Sequence, residues 1–293
     1  MNTIDRQTGE GRSPLRVLLL GFGGRRGVPE EAERLGSLIE KIDRIVGRDL
    51  TGDQDFAEVE ADVAVVLGGD GSILHAARQM GRRQIPVIAV NLGKLGFLAD
   101  VPPDELLAVL DRYRHGQLTV IEHLMFVCEV VRQGRVVQQQ LGLNEVAVQN
   151  GAPFAILDVN LYVDSELVTT YSCDGLIVST PVGSTAHSLS AGGPILRKDL
   201  QAFVVSPISP HTLTHRPVVD SADRVFELEV VAPQREASVV VDGRVLGVLE
   251  PGDRVRVRRA DVCFKLVAAP GHGYYRTLRE KLGWSGRFRR NGE

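Results

Sequence analysis

Gly68-Gly69-Asp70-Gly71-Ser72 is the stretch best equipped for chemistry: glycines surround one carboxylate. Gly68, Gly69 and Gly71 allow positive φ and close backbone approach by a ligand. A helix beginning at this turn presents free amides, which favour an anion such as phosphate. A carboxylate there would repel phosphate. Asp70 makes sense if it takes a proton from an acceptor hydroxyl or helps hold a metal ion. The blander alternative is an ordinary strand-to-helix turn with Asp70 as a solvated cap. A second unusual stretch runs from Cys173-Asp174-Gly175 through Ser179-Thr180-Pro181 and Gly183-Ser184-Thr185-Ala186-His187 to Gly192-Gly193-Pro194. Such a density of small hydroxyl and glycine residues packs a core poorly and suits a backbone lying against a polar ligand. A long capped turn, with Ser184 as N-cap of a short helix, would produce the same composition.

Both stretches need elements to position them. Val63–Leu67 is an apolar, β-branched run that reads as a buried strand, and Ile73, Leu74, Ala76, Ala77 and Met80 follow at helical spacing. Arg16–Leu20 reads as the first strand, closed by the glycine-rich turn 21–27. Leu35, Leu38, Ile39, Ile42, Ile45 and Val46 mark one face of a helix from about Pro29, and 47–59 reads as a loop or short β segment. Ile85–Val90 is another buried strand. Leu106, Leu107, Val109, Leu110 and Tyr113 repeat helically. Strands alternating with helices imply a parallel, doubly wound sheet, whose ligands sit at the carboxyl ends of its strands. Near residue 120 the period changes to two. Leu157, Val159, Leu161 and Val163 alternate with polar residues, as do Phe226, Leu228 and Val230, then Val255 and Val257. Turn signals at Gln133-Gly134, Asp242-Gly243 and Pro251-Gly252 complete the pattern of an antiparallel β domain. The expected architecture is an α/β domain over 1–122 and an all-β, sandwich-like domain over 123–269. A tail over 270–293 would return to the first domain.

Composition narrows the function. The net charge of −3 leaves no basic footprint for nucleic acid, and Arg254, Arg256, Arg258 and Arg259 read as a solvated strand face. No apolar run is long enough to span a membrane. Cys128, Cys173 and Cys263 are odd in number and far apart, which fits reduced thiols and a cytoplasmic location. No His, Cys, Asp and Glu cluster has metal-site spacing, so no protein-held metal is expected. His75, His211 and His215 read as packing or structural histidines.

Leu67–Ser72 resembles the Gly-Gly-Asp-Gly signature of the NAD kinase family, which diacylglycerol and sphingosine kinases share and phosphofructokinases carry more distantly. Asp174–Pro194 is similar to the NAD kinase substrate segment, and Asn91–Asp100 resembles its Asn-x-Gly-x-Leu-Gly-Phe-Leu-x-Asp motif. Asn144-Glu145, Pro210-His211-Thr212-Leu213, Arg216-Pro217 and Asp242-Gly243 match further family motifs in the same order. Lipid kinases share only the first element.

The resemblance implies phosphoryl transfer from ATP, or from polyphosphate, to the 2′-hydroxyl of the adenosine ribose of NAD. It assigns Asp70 as general base. Gly68, Gly69, Gly71 and Ser72 would meet the donor's phosphates. The NAD-contacting set would be Gly71, Phe97, Asn144, Glu145, Ser172, Asp174, Thr185, Ala186, His187, Ser190 and Asp242. Within it, Asp174 would reach the nicotinamide carboxamide of a neighbouring subunit, which implies a homo-oligomer, a tetramer or dimer. Mg²⁺ would arrive on the donor. Three departures stand out. His187 replaces the family's usual tyrosine, Val182 a usual threonine, and Gly23-Gly24-Arg25-Arg26 an asparagine-containing turn. A non-catalytic NAD(P) sensor on the same fold is the rival reading, and the intact Asp70, Asn144 and Asp174 argue against it.

Overall fold

The computed structural model describes residues 13–24, 26–93, 96–151, 156–212, 214–231, 237–268 and 273–284. Arg25, Lys94, Leu95, Leu213 and the two ends of the chain, 1–12 and 285–293, lie outside them.

The first half alternates as its periodicity dictates. Strand β1 (Arg16–Gly21) leads to α1 (Val28–Ile39) and β2 (Arg44–Asp49). Then come β3 (Val63–Gly68), α2 (Asp70–Gln79), β4 (Val87–Asn91) and α3 (Leu106–Arg114). The strands pair in parallel in the order β2-β1-β3-β4. Helices α1 and α3 bury Leu35, Ile39, Leu106 and Leu110 against one face, while α2 buries Ile73, Ala76 and Ala77 against the other. The order reverses between β1 and β3, so the crevice between their carboxyl ends is the point where a doubly wound sheet accepts ligands. The Gly68-Gly69 turn leaves β3 at that crevice.

The helix expected from Pro29 ends earlier than its apolar spacing suggests, and Ile45 and Val46 belong to β2. A turn over 40–43 interrupts the chain, and the buried Asp43 carboxylate fixes it. It accepts the Leu15 amide at 2.8 Å and the Arg114 guanidinium at 2.6 Å. Ile42, which fits the helical face by spacing, is exposed.

The second half is β throughout apart from its short helices. Its strands are β5 (Val120–Arg132), β6 (Arg135–Gly142), β7 (Glu145–Asn150), β8 (Leu157–Val163), β9 (Glu166–Cys173) and β10 (Gly175–Ser179). After α4 (His187–Ser190) follow β11 (Ala202–Ile208), β12 (Val218–Ser221), β13 (Phe226–Val230), β14 (Ala237–Val241), β15 (Arg244–Leu249) and β16 (Arg254–Val267); α5 (Tyr274–Leu282) ends the described chain. One antiparallel sheet runs β12-β11-β10-β7-β14-β15. The other continues the parallel sheet through β4-β16-β13-β8-β9, with β5 and β6 branching from β16. Inward residues of the two sheets form one core, where Phe203 and Phe226 meet edge to face at 5.5 Å. Two of the three expected turns close hairpins, Gln133-Gly134 and Asp242-Gly243, each with two consecutive residues at positive φ, whereas the turn at Pro251-Gly252 carries the chain from β15 to β16 in the other sheet.

The arginines of β16 are paired rather than open to a polyanion. Arg254 and Arg256 meet Glu227, and Arg256 and Arg258 meet Glu129. Arg254 also lies 4.6 Å from the Tyr162 ring centroid.

Behind α2, Asp49 organises the 49–54 loop. Its carboxylate accepts the amides of Thr51 and Gly52 at 2.9 Å each, the Thr51 hydroxyl at 2.7 Å and the Gln79 side-chain amide at 2.6 Å. Burial alone would raise its pKa, but these donors prevail and hold it at about 2. Asp49→Asn is therefore expected to cost about 1–3 kcal/mol at neutral pH, because a donor replaces an acceptor in a full shell. A depressed native pKa gives stability that is present above the unfolded carboxyl range and lost as pH falls toward 2. The gap between wild type and variant in urea melts should shrink below about pH 4; a constant gap would exclude the charge.

Candidate active site

The glycine turn is built for close approach. Gly68 takes φ +136°, and a Cβ there would lie 2.2 Å from Ser72 Oγ. Asp70 begins α2, but its carboxylate is not a solvated cap. It accepts the backbone amides of Phe97 at 2.7 Å, Leu98 at 2.9 Å and Ala99 at 3.1 Å. The 96–99 segment thereby folds over the turn. Gly96 is required for this, since a Cβ would lie 2.3 Å from Asp70 Oδ1. An ionised carboxylate has about four acceptor positions. Three are used here, and one remains for a further donor. Gly69 completes the turn by accepting the Ser72 amide at 2.9 Å, and the Ser72 hydroxyl is buried with no partner among the described residues.

A second carboxylate repeats the device. Asp242, in the β14–β15 turn, accepts the amides of Leu143 and Asn144 at 2.8 Å and of Glu145 at 3.1 Å. Asn144 is also held through its carbonyl, which accepts the Thr180 amide at 2.9 Å and the Ser179 hydroxyl at 3.1 Å. Gly183 packs directly on that carbonyl, and a Cβ would come within 2.2 Å of it. The chain then passes through a 3-10 turn at Gly183–Thr185 into α4. Glu145 is buried beneath α4, where the His187 backbone amide donates to its carboxylate and Oε2 has no partner. Burial first, then the adjacent Asp242, pushes the Glu145 carboxyl up to about 8. Burial also raises Asp242, to about 6, against its three amide donors.

These two constructions meet. Gly71 from the glycine turn and Asp242 from the β hairpin line one small cavity of about 100 Å³, with His75, Arg78 and Arg244. His75, expected to pack, stacks on Phe22 at 4.9 Å. Thr185, Ala186 and His187 are half-buried and Ser190 is exposed along the 3-10 turn and α4. Ser184 is not the cap its composition suggests. Its hydroxyl donates to the Pro181 carbonyl at 2.7 Å and accepts the Leu196 amide at 2.9 Å, tying the two ends of the segment together.

Ser172 and Asp174 form a separate group. Ser172 donates to Asp158, and Asp174 faces His211 at 3.7 Å. Asp174 sits beside Asn150, at the far end of β7 from Glu145, about 16 Å away along the strand. The sequence did not single out Lys198, which donates to the Phe97 carbonyl, or the α5 residues beside it. Lys281 lies 5.4 Å from the Phe97 ring centroid, and the Tyr274 hydroxyl donates to Leu196 at 3.0 Å. Neither lysine belongs to a local pattern that could have marked it. Among the described residues, no group of three or more His, Cys, Asp or Glu side chains is placed to hold a metal ion.

Family models for the ATP-NAD kinase N-terminal domain and C-terminal domain match residues 30–118 and 143–269. The chain belongs to the ATP-NAD kinase family. It is 53% identical over 280 residues to the NAD kinase of Rhodopirellula baltica, covering 96% of this chain and 90% of that one. It is 43% identical to the NAD kinase of Geobacter sp. strain M21, covering 78% and 80%. A solved NAD kinase from Archaeoglobus fulgidus, in complex with ATP, superposes with a TM-score of 0.75 at 25% identity, over 92% of this chain and 99% of that one. Yeast NADH kinase, complexed with NADH, shares the fold with a TM-score of 0.86 at 22% identity, over 96% and 91%. The Asp70 and Asp242 carboxylates and the glycines they require thus lie within family-matched segments.

The buried Glu145–Asp242 pair makes stability depend on pH. A carboxyl whose native pKa is raised binds its proton more tightly folded than unfolded. Between about 4.5 and about 8 the native state carries the extra proton, so stability falls as pH rises through that window. Glu145→Gln should remove most of this slope and gain on wild type as pH rises from 5 to 8, read from urea midpoints. Parallel profiles for the two proteins would exclude a raised Glu145.

Proposed function

We propose that this chain phosphorylates NAD with ATP, at the 2′-hydroxyl of the adenosine ribose, with Asp70 accepting the hydroxyl proton. The single observation that carries the mechanism is the Asp70 carboxylate, fixed by three backbone amides at the foot of a glycine turn. Its remaining acceptor position is open to a hydroxyl, and its orientation needs no reorganisation when the proton moves. The family's motif order supplies the other roles. Gly68, Gly69, Gly71 and Ser72 receive the donor's phosphates. Asn144, Glu145, Thr185, Ala186, His187, Ser190 and Asp242 hold the adenosine, and Phe97 packs on it. A buried, protonated Glu145 is a hydrogen-bond donor as well as an acceptor, which suits an adenine or ribose partner. Mg²⁺ travels on the donor's phosphates, where it neutralises the charge that Asp70 would otherwise repel.

The same reading makes the active form a homo-oligomer, a tetramer or dimer. Asp174 lies beside Asn150, at the far end of β7 from Glu145, so within one chain it stands apart from the adenosine group. The edge strands β9, β12 and β15 expose Leu167, Val168, Val218, Val219, Val245 and Val248. Exposed apolar edge strands are the kind of surface that a second copy covers. A cytoplasmic location fits the buried free thiols of Cys128 and Cys173; no described helix is long and apolar enough to cross a membrane.

Asp70→Asn should lower kcat for NADP formation by about 10²–10⁴-fold, the usual worth of a general base. The amide is nearly isosteric but sets a donor against a loop amide, so stability should also fall, by about 1–3 kcal/mol, while calorimetric NAD affinity should change far less than kcat. A kcat within about threefold of wild type would remove the role from Asp70. Separately, specific activity should fall on dilution below the assembly constant, and Asp174→Ala should raise KM for NAD without dissociating the oligomer. A monomer by light scattering with full activity would overturn the shared site.

A further inference from the structure

Phe97 is gripped on both sides of its Cα. Its amide donates to Asp70 at 2.7 Å, and its carbonyl accepts from the Lys198 ammonium. Lys198 comes from the segment that follows α4 and Gly193. Its stem borders a cavity of about 340 Å³, lined by Phe97, Leu98, His123 and Tyr274 among others. The Tyr274 ring centroid is 5.8 Å from the ammonium, and its hydroxyl holds Leu196 two residues earlier. Helix α5 therefore fixes the segment that carries Lys198.

The charges around this lysine are accounted for. Asp70 and Asp100 act on it from the glycine turn and its covering loop. On its own segment Arg197 pairs with Asp199 at 2.8 Å. His123 of β5 lies behind it, with Nδ1 3.5 Å from the Lys198 carbonyl, and is held neutral by burial, with a pKa of about 4. Lys281 of α5 lies against the Phe97 ring. Lys198 is thus the cation seated on the Phe97 backbone itself. Burial lowers its pKa, and the two aspartates oppose that shift. Placing a lysine here costs desolvation, and a loop held merely by packing would not need it.

We propose that Lys198 is a positioning residue for phosphoryl transfer: it locks the Phe97 peptide and, through it, the orientation of the Asp70 carboxylate. The inference rests on the reading of Asp70 above. With the Phe97 carbonyl released, the 96–99 loop could pivot about its amide contacts, and Asp70 would turn with it. A displacement of about 1 Å at a reacting group costs on the order of 10²-fold in rate. Phe97 is one of several proposed adenosine contacts, so NAD affinity should move far less than kcat, and ATP binding, which rests on the glycine turn, should be nearly unchanged.

Lys198→Met keeps the length of the stem and removes the donor. The expected result is a fall in kcat of about 10–100-fold, with KM for NAD and for ATP within about threefold of wild type. Lys198→Arg, which can still donate to the carbonyl, should recover kcat to within about threefold. If the Met variant does not accumulate folded, Lys198→Gln takes its place with the same expectation. A kcat within threefold of wild type in the uncharged variant would overturn the proposal. So would a loss confined to KM, or equal losses of kcat and melting temperature in the uncharged and Arg variants alike. An Asp70→Asn variant with unimpaired kcat would sink the reading of Asp70 instead, and is distinguishable by that measurement.

Discussion

The site depends on one carboxylate bound by three consecutive amides. Asp70 stands at the carboxyl end of β3, and Phe97, Leu98 and Ala99 follow β4. These strands are neighbours, so their loops emerge side by side, and something must decide how they lie. A charge-assisted bond is roughly twice as strong as a neutral one. Three of them on one carboxylate fix a loop that has no secondary structure of its own. The glycines serve this contact. Gly96 admits the Asp70 oxygen, and Gly68 leaves room for the Ser72 side chain in the first turn of α2. A group that holds its loop this firmly is pre-organised for any proton it then accepts.

Asp242 solves the same problem in the β half. Residues 143–145 end one strand pairing and begin another, and their amides would be left without partners. The hairpin aspartate satisfies them, at the cost of burying a carboxylate beside Glu145. Two acids in one buried place cannot both ionise freely, so one stays protonated near neutrality. Burial first, then Asp242, makes Glu145 that acid, a hydrogen-bond donor where the residue type promises only an acceptor. Electrostatics here changes the chemistry of the site as well as its stability.

The parts legible in the sequence are those whose chemistry is local. Glycine turns, β-branched runs and the Gln133-Gly134 and Asp242-Gly243 hairpins declare themselves because the backbone conformation they need excludes most other residues. The separation of β2 from α1 was not legible, because Ile42, Ile45 and Val46 continue the helical spacing. The break comes from Asp43 bonding to Leu15 and Arg114, both distant in sequence. Asp70 stood out in the sequence as a carboxylate within a glycine turn, but its architecture was not legible, since nothing local says that its partners lie twenty-seven residues or more away. Lys198 carried no signal at all. Its importance comes from where the segment after α4 lands, which only the fold determines.

The strand β16 limits how such a site can move. Its first part pairs antiparallel with β13 and β5, and its end pairs in parallel with β4 at Leu266 and Val87. The parallel and antiparallel halves therefore share one sheet, and the core beneath it includes Phe264 of β16 alongside Ile73 and Ala76 of α2. Opening a hinge between the halves would break ladder bonds and expose that core. Loops are cheaper to move, and the segments carrying Phe97, Thr185 and Lys198 are loops or short turns held by a few named hydrogen bonds. A sheet shared in this way holds the glycine turn and the β half in register, so the placement of the loops is left to local contacts such as the Lys198 ammonium on the Phe97 carbonyl.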